Sequence, residues 1–519
     1  MNAIDLTASQ HTSDIVLCTL NARYIHASFG LRYLKANLGD LSTQCDIQEF
    51  TLDARPEDVV ESILASKPKI VGFGVYIWNV VQTEKVVSLL KVVAPDVIVV
   101  LGGPEVSYEY ESQAIVAACD YLITGWGETS FALLAHDLLS GKERPVKIIP
   151  GEQPKLDAIA MPYHLYTDED IQHRLLYVEA SRGCPFKCEF CLSALDKTAW
   201  PFDLDAFLQQ MDALYQRGAR HFKFVDRTFN LKIKNSLRIL QFFLDRMGDD
   251  LFLHFEVVPD HLPDALKSMI QQFPPGSLQF EIGIQTFNPE VQTLISRRQD
   301  NDKARQNLAW IRQHTNAYIH ADLIFGLPGE NLDSFAQSFD TLYALRPHEI
   351  QVGILKRLKG SPIIRHTDSH DLRFNPNPPY SIVANRDISF VDVQAMARFA
   401  RYWDLIGNSG RFTNTLPLIL DVGSSPFDRF SMLADAIFEL TGQTHKISLL
   451  RLFDLVFEVA VSRLSVDADA LKSNITLDHH ESGLKSVPKC LSGANIGSKA
   501  GYIRPQSRPS NSTRQARHQ

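Results

Sequence analysis

The sequence predicts an α/β chain in three parts: a doubly wound parallel sheet, a partial (β/α)6 barrel and a small α-helical C-terminal domain. Three observations predict it. Short apolar, β-branched runs alternate with amphipathic helical patterns from residue 14 to about 140, six further strand–helix repeats begin at Leu175, and past Gly360 only helical patterns remain. Apolar strand cores separated by helices imply parallel strands covered on both faces.

In order along the chain, residues 1–13 read as a flexible N-terminus and 14–140 as the first domain. Its strands are expected at 15–20, 46–51, 70–76, 97–101 and 121–124, with helices near 30–38, 56–66, 80–93, 109–117 and 129–140. Residues 141–174 form a linker, because Pro145, Pro150, Pro154 and Pro162 discourage both helix and ladder. The second domain, 175–365, carries strands at 175–180, 221–225, 252–258, 278–284, 318–324 and 349–352. A turn-rich break, Phe374-Asn375-Pro376-Asn377-Pro378-Pro379-Tyr380, follows. Helices near 391–407 and 430–464 then make up a third domain, 366–468. Residues 469–519 are rich in Ser, Asn, Pro, Gly and basic residues and read as a disordered basic tail.

The 519 residues carry a formal net charge of −8, 45% hydrophobic and 22% charged side chains, which is ordinary for a globular protein. From Leu471 onward eight Lys and Arg oppose two acidic residues, so the tail carries +6 and the remainder −14. An acidic body argues against a nucleic-acid groove. The first residues lack the apolar core of a signal peptide, and no run approaches the roughly twenty apolar residues that span a bilayer. Seven cysteines, three of them clustered, fit a reducing compartment rather than a disulfide framework. The expectation is a cytoplasmic chain with no membrane partner.

The clustered cysteines are the most informative residues. Cys184, Cys188 and Cys191 lie in Ser181-Arg182-Gly183-Cys184-Pro185-Phe186-Lys187-Cys188-Glu189-Phe190-Cys191, a CxxxCxxC run directly after an apolar strand. Three thiolates hold three irons of a four-iron cluster and leave the fourth open, which a cluster needs if it is to bind a substrate. A structural zinc or three buried thiols would be the alternatives. A structural zinc wants four ligands, and no fourth Cys or His lies nearby in sequence. A ligand loop at the C-terminal end of the first barrel strand is where such folds place chemistry.

This spacing, with Phe190 before the last cysteine, resembles the radical S-adenosylmethionine (radical SAM) superfamily. The resemblance implies a [4Fe-4S] cluster on Cys184, Cys188 and Cys191. It also implies SAM chelated to the open iron, and an electron that splits SAM into methionine and a 5′-deoxyadenosyl radical. It implies further SAM contacts at later strand ends. Asp226, in Phe224-Val225-Asp226, is suited to the SAM ammonium. Glu281 shares one strand face with Gly283 and Gln285 and suits the ribose hydroxyls. Gly326 and Glu330, in Gly326-Leu327-Pro328-Gly329-Glu330, look like the turn beside the adenine. Phe190 packs at the cluster. Arg297 and Arg298, which could bind the SAM carboxylate or form a solvated helix face, are left unassigned.

The first domain has glycine pairs at its strand ends, Gly102-Gly103 and Gly125-x-Gly127-Glu128, where backbone is able to approach a ligand closely. With the loop Asn21 to Gly30, and just upstream of the cysteine barrel, they resemble the cobalamin-binding domain fused to many radical SAM enzymes. The resemblance implies that Gly102, Gly103, Gly125, Gly127 and Glu128, together with Tyr24, His26 and Ser28, surround cobalamin. One departure stands out. Families that supply a lower cobalt ligand carry Asp-x-His-x-x-Gly, whereas here Tyr24 replaces the Asp and His26 is four residues before Gly30. The carboxylate that would orient the imidazole is missing.

The whole arrangement, including a helical C-terminal domain, is similar to a subgroup of cobalamin-binding-domain radical SAM proteins. It implies a cobalamin-dependent radical SAM enzyme, with methylation of an unactivated carbon as the favoured outcome. The substrate is an unidentified small molecule or peptide, and an external flavodoxin- or ferredoxin-like protein donates electrons. Two rivals are weighed beside it. A methylthiotransferase would need a second cluster on Cys18, Cys45 and Cys119, of which Cys18 and Cys119 read instead as buried apolar positions. A non-catalytic cobalamin or redox sensor would need no open iron.

Overall fold

The computed structural model describes residues 12–492 apart from 143, 197, 249 and 424. The expected flexible N-terminus lies outside the described residues up to residue 11, as does the tail from 493.

The first domain is a six-stranded sheet, every pairing parallel, in the order β2-β1-β3-β4-β5-β6. Its strands are β1 (Ile15–Asn21), β2 (Cys45–Thr51), β3 (Ile70–Gly74), β4 (Ile98–Gly102), β5 (Tyr121–Gly125) and β6 (Ile148–Gly151). The intervening helices are α1 (Phe29–Ala36), α2 (Pro56–Ala65), α3 (Val80–Val93), α4 (Ala114–Ala118) and α5 (Glu128–Leu139). Both faces are covered. Val16, Cys18, Val71 and Leu101 pack toward α2, α3 and α4, whereas Ile15, Leu17, Ile70 and Ile123 pack toward α1 and α5. The order of strands reverses between β1 and β3, so crevices open at the carboxyl ends there.

The linker is less irregular than expected. β6 adds to the edge of the sheet beside β5, and Pro150 is tolerated because an outermost strand needs hydrogen bonds on one side only. Helix α6 (Asp168–His173) then begins in a reciprocal cap between Thr167 and Asp170.

The second sheet runs β7-β10-β11-β12-β13-β14, again all parallel. Its strands are β7 (Leu176–Val178), β10 (His221–Phe224), β11 (Phe252–Val257), β12 (Leu278–Gln285), β13 (Tyr318–Phe325) and β14 (Glu349–Ile354). A small antiparallel pair, β8 (Ser181–Arg182) with β9 (Trp200–Pro201), brackets the cysteine loop. The connecting helices are α7 (Leu204–Gln216), α8 (Ile233–Leu244), α9 (Asp264–Ile270), α10 (Pro289–Leu294), α11 (Asn301–His314) and α12 (Leu332–Ala344). Strands follow chain order without closing, which gives a six-stranded partial barrel.

Beyond it come helix α13 (Thr367–His370) and the two-residue β15 (Arg373–Phe374) against β16 (Ile382–Ala384). The helices α14 (Phe390–Ile406), α15 (Thr415–Leu420), α16 (Pro426–Thr441), α17 (Leu449–Ser462) and α18 (Ala468–Glu481) follow. The expected long helix over 430–464 is two helices, because Gly442 takes φ +65° as a left-handed cap and Ser448 caps the next start. The tail expected to be disordered from 469 is a helix as far as Glu481. Leu471 and Ile475, four apart, are buried, and Asp478 accepts from the backbone of Asn414 and Thr415. Polar composition hid that stripe. Phe339 of α12 meets Phe399, Trp403 and Phe427, so barrel and helical domain share one core.

Candidate active site

The cysteine loop leaves β7 through Gly183, whose φ of +95° and close neighbours, Thr198 O and the Trp200 ring, leave no room for a Cβ. Cys184, Cys188 and Cys191 border one cavity of about 270 Å³ at the carboxyl end of the barrel. Burial pushes the Cys184 thiol up to about 11 and raises Cys188, against which Arg297 Nη1 stands 3.6 Å from Sγ and pulls the other way. Among the described residues no group of three His, Cys, Asp or Glu is already closed into a metal-binding set, these three included. Phe190 packs with Val291, Leu327 and Ile363 in a small apolar cluster and also borders the cavity.

The donor set on this cavity fits both groups that the motif implies. Its sulfur donors are three thiols, as a cluster with an open iron requires. Thr228 Oγ1 and Gln285 Oε1, buried without hydrogen-bond partners, also belong to residues lining it and would satisfy a polar ligand. Gln285 stands at φ +70° where the β12–β13 register shifts, a bulge that re-aims the side chain.

Charged groups form the rest of the wall. Glu281 accepts from Lys223 Nζ at 3.4 Å and has His254 Nε2 2.9 Å away. Burial raises its pKa, but these partners hold it well below the carboxylate range. Burial likewise works against a charge on His320, yet Asp322 (3.1 Å) and Glu349 (2.8 Å) carry it up to about 10. Glu256 pairs with Arg227 at 3.0 Å. Arg297 also donates to Gly283 O and, with Arg298, lines the cavity.

Three residues expected at SAM stand elsewhere. Asp226 is buried behind the loop, accepting from Ala180 N (2.9 Å) and Ser181 Oγ (2.6 Å), and burial pushes it up to about 7. Glu330 is fully buried, accepts from Thr286 Oγ1 at 2.6 Å, and is pushed up to about 8 by burial. Gly326 turns at φ +95° under Ile382 and is not among the residues that line this cavity. Asp226 and Glu330 thus do not line this cavity, and each carboxylate accepts from a neighbour inside the fold. Sequence reasoning missed Arg227, Thr228 and Glu256. The alternation His254, Glu256 on β11, with Glu256 opposite Glu281, was the signal available.

A second cavity, about 390 Å³, opens at the strand ends of the first domain. Gly102, Gly103, Gly125, Gly127 and Glu128 all line it. Gly103 has φ +114°, and a Cβ there would meet Val75 O at 2.4 Å. Glu128 accepts from Arg182 Nη1 at 2.6 Å, and Arg182 also meets Glu179 at 2.5 Å and lies over the Trp126 ring. This glycine-walled cradle fits a large planar cofactor approaching backbone.

Tyr24, His26 and Ser28 are not among the residues that line that cradle. His26 Nδ1 bonds the Tyr177 hydroxyl at 2.7 Å, and the ring borders a polar cavity at the opposite, amino end of the barrel. Tyr24 bonds Glu169 beneath Arg174. Ser28 N donates to Glu49. The loop is used for docking. Arg32 of α1 bridges Glu49 (2.9 Å) and Asp170 (2.8 Å), and Arg174 reaches Glu49 at 2.9 Å, all four buried at the domain boundary.

Between the two cavities lies a third, about 490 Å³, bordered by the stacked pair Tyr76 and Trp78, by Phe190 and Arg227, and by Lys359. Cys191 lines the first and third cavities, and Leu192 the second and third, so one stretch of the cysteine loop is their common wall. Cys18 and Cys119 pack on one face of the first sheet and Cys45 on the other, so these three do not share a site.

Comparison with known proteins agrees with this layout. Residues 15–135 match the B12 binding domain family, 178–342 the radical SAM superfamily, and 368–513 a protein family of unknown function, DUF4080. An uncharacterized methyltransferase of Pyrococcus horikoshii is 28% identical over 351 residues, 61% of this chain and 74% of its own length. The cobalamin-dependent radical SAM methyltransferase TokK of Streptomyces tokunonensis is 23% identical, and the match covers 60% of this chain and half of TokK. Among solved structures, the cobalamin-dependent SAM radical enzyme OxsB with aqua-cobalamin bound has a TM-score of 0.64 at 12% identity. The match covers 92% of this chain and 83% of OxsB. The methyltransferase TsrM of Kitasatospora setae, with cobalamin and a [4Fe-4S] cluster, has a TM-score of 0.58 at 17% identity, over 71% of this chain and 82% of its own. No helix among the described residues is long and apolar enough to cross a membrane. The chain thus joins a B12-binding domain, a radical SAM domain and a DUF4080 region in that order, and it is cobalamin-binding radical SAM methyltransferase-like.

Proposed function

We propose that the chain transfers a methyl group to an unactivated carbon of a small molecule or peptide that occupies the third cavity. The observation that carries the reading is the shared wall: Cys191 and Leu192 separate the thiol-lined cavity from the glycine cradle, and both open onto the space between. When bound, the cluster, SAM and cobalamin supply reductive cleavage of SAM and methyl transfer.

The chain's own residues bind and orient. Cys184, Cys188 and Cys191 would hold the cluster. Arg297 stands beside Cys188 and offers a cation to the SAM carboxylate. Glu281, kept ionised by His254 and Lys223, offers an acceptor for ribose hydroxyls. Thr228 Oγ1 and Gln285 Oε1 supply the remaining polar contacts. Phe190 excludes water from the wall. In the cradle Gly102, Gly103, Gly125 and Gly127 admit the cofactor against bare backbone, and Glu128 is fixed by Arg182. No protein ligand to cobalt is assigned, because His26 is engaged by Tyr177. A flavodoxin- or ferredoxin-like donor in the cytoplasm completes the proposal.

The test is iron, sulfide and cobalt content with the visible spectrum of anaerobically reconstituted protein. About four irons and one cobalt support the reading. About eight irons without cobalt would overturn it. Cys188→Ala is expected to abolish SAM cleavage while retaining cobalt, and persistent cleavage would sink the cluster assignment.

A further inference from the structure

The stretch that leaves the barrel after β14, residues 355–382, touches both loops that the reading above gives to cofactors. At one end it holds Glu189, which lies between Cys188 and Cys191 and is 2% exposed. The Glu189 carboxylate accepts from His366 Nε2 at 2.8 Å, from Arg365, and from Ser296 Oγ at 2.5 Å. Its backbone carbonyl accepts from Ile363 N at 2.9 Å. At the other end the stretch holds Glu105, two residues beyond Gly103 and 3% exposed. Tyr380 Oη donates to Glu105 at 2.7 Å and Lys359 Nζ lies 3.1 Å away. Glu109, on the same loop, takes Arg357 and the backbone N–H of Gly360.

The segment between these anchors is itself fastened down. Ile363, Leu372 and Ile382 are buried with Phe190 and Leu327, and Ile382 N donates to Leu355 O at 2.8 Å. Ile382 lies so close to Gly326 that a Cβ there would meet it at 2.6 Å. Charge-assisted bonds to buried carboxylates are strong and directional, and withdrawing one partner is costly. Both loops thus share contacts with one packed segment, beside those each makes in its own domain, such as Ser296 to Glu189 and Gln113 Nε2 to the Glu105 carbonyl.

We propose that residues 355–382 are a positioning strap, which by holding Glu189 and Glu105 together sets the cysteine loop at a fixed separation from the glycine cradle. Glu189, His366, Glu105 and Tyr380 are positioning residues, acting through the loops they hold. Misplacement by about an ångström is enough to cost roughly a hundredfold in rate, so a shared reference for two cofactors in two domains has a function beyond stability. This inference rests on the reading that the two loops hold a cluster and cobalamin.

The experiment uses reconstituted full-length protein, the parent chain beside His366→Gln and Tyr380→Phe. Metal content is measured first, and then the magnetic dipolar coupling between the reduced cluster and divalent cobalt, each of which carries unpaired spin. A parent chain without four irons and cobalt overturns the functional reading itself. If the variants load both metals but their dipolar splitting moves or broadens relative to the parent, the strap is supported. If they load both and keep the parental splitting, the strap is overturned. Tyr380→Phe deletes a single hydroxyl that bonds Glu105 and not the cysteine loop, so it decides the matter should His366→Gln fail to load iron.

Discussion

Asp226 and Glu330 are carboxyls that the fold keeps for itself. Each is pushed up by burial, to about 7 and about 8, and each accepts from a neighbour inside the fold. A carboxyl whose pKa is raised in the native state binds its proton there when the unfolded chain has already lost it. Stability therefore falls as pH rises from the unfolded value toward the folded one. For Glu330 that window runs from the ordinary 4.5 to about 8. At about 1.4 kcal/mol per pH unit the upper bound is about 5 kcal/mol. Glu330→Gln is expected to melt near the parent at about pH 4.5 and progressively above it toward about pH 8, and parallel melting curves across that range would sink the idea. Asp226→Asn is expected to lower iron loading more than SAM affinity of the loaded fraction, because the carboxylate holds Ala180 and Ser181 at the root of the cysteine loop. A large loss of SAM affinity with full iron would instead restore Asp226 as a SAM contact.

At the scale of elements, the cradle depends on where β3 and β4 end. Gly103 takes φ +114°, which costs an L residue roughly 1–3 kcal/mol, and its missing Cβ would collide with Val75 O. Gly103→Ala is expected to lose cobalamin while keeping iron on the cysteine loop, and the reverse pattern in a metal assay would refute the assignment of the cradle. The strands were legible in sequence because buried parallel strands are near-continuous apolar runs, as in Ile15 to Leu20. β6 was not, since a short, half-exposed edge strand with a proline carries no such run. The glycine loops and the cysteine motif were legible because close backbone approach and metal ligation demand particular residues at particular spacings. The contacts of the loop from Tyr24 to Ser28 were not legible because its partners, Tyr177, Glu169 and Glu49, are distant in sequence, and no local spacing encodes a domain contact. Glu256 was overlooked although β11 alternates polar and apolar residues, and Arg227 because it lies in the turn beyond β10.

For the whole molecule, the common wall is useful only if the two domains keep one relative position. Arg32 and Glu49 from the first domain meet Asp170 and Arg174 of the connector at 2.8 to 2.9 Å, with side chains 5 to 11% exposed. Four charges so deeply buried are held by mutual pairing, and removing one leaves uncompensated charge, a loss of about 3–5 kcal/mol. Arg32→Met keeps the volume and deletes the cation that bridges the two carboxylates. The cost falls on the docking surface rather than on either core, so the first domain should melt separately from the barrel. The expected result in scanning calorimetry is a transition that divides, its earlier part lowered by on the order of 10 °C. The exposed pair Arg238–Asp205 is the control, since its removal should shift stability by no more than about 1 kcal/mol. If Arg32→Met melts like the Arg238→Met control, the ion cluster does not hold the domains together. The relative placement of the two cavities would then depend on the aromatic contacts around Arg182 and on the segment from Leu355 to Ile382.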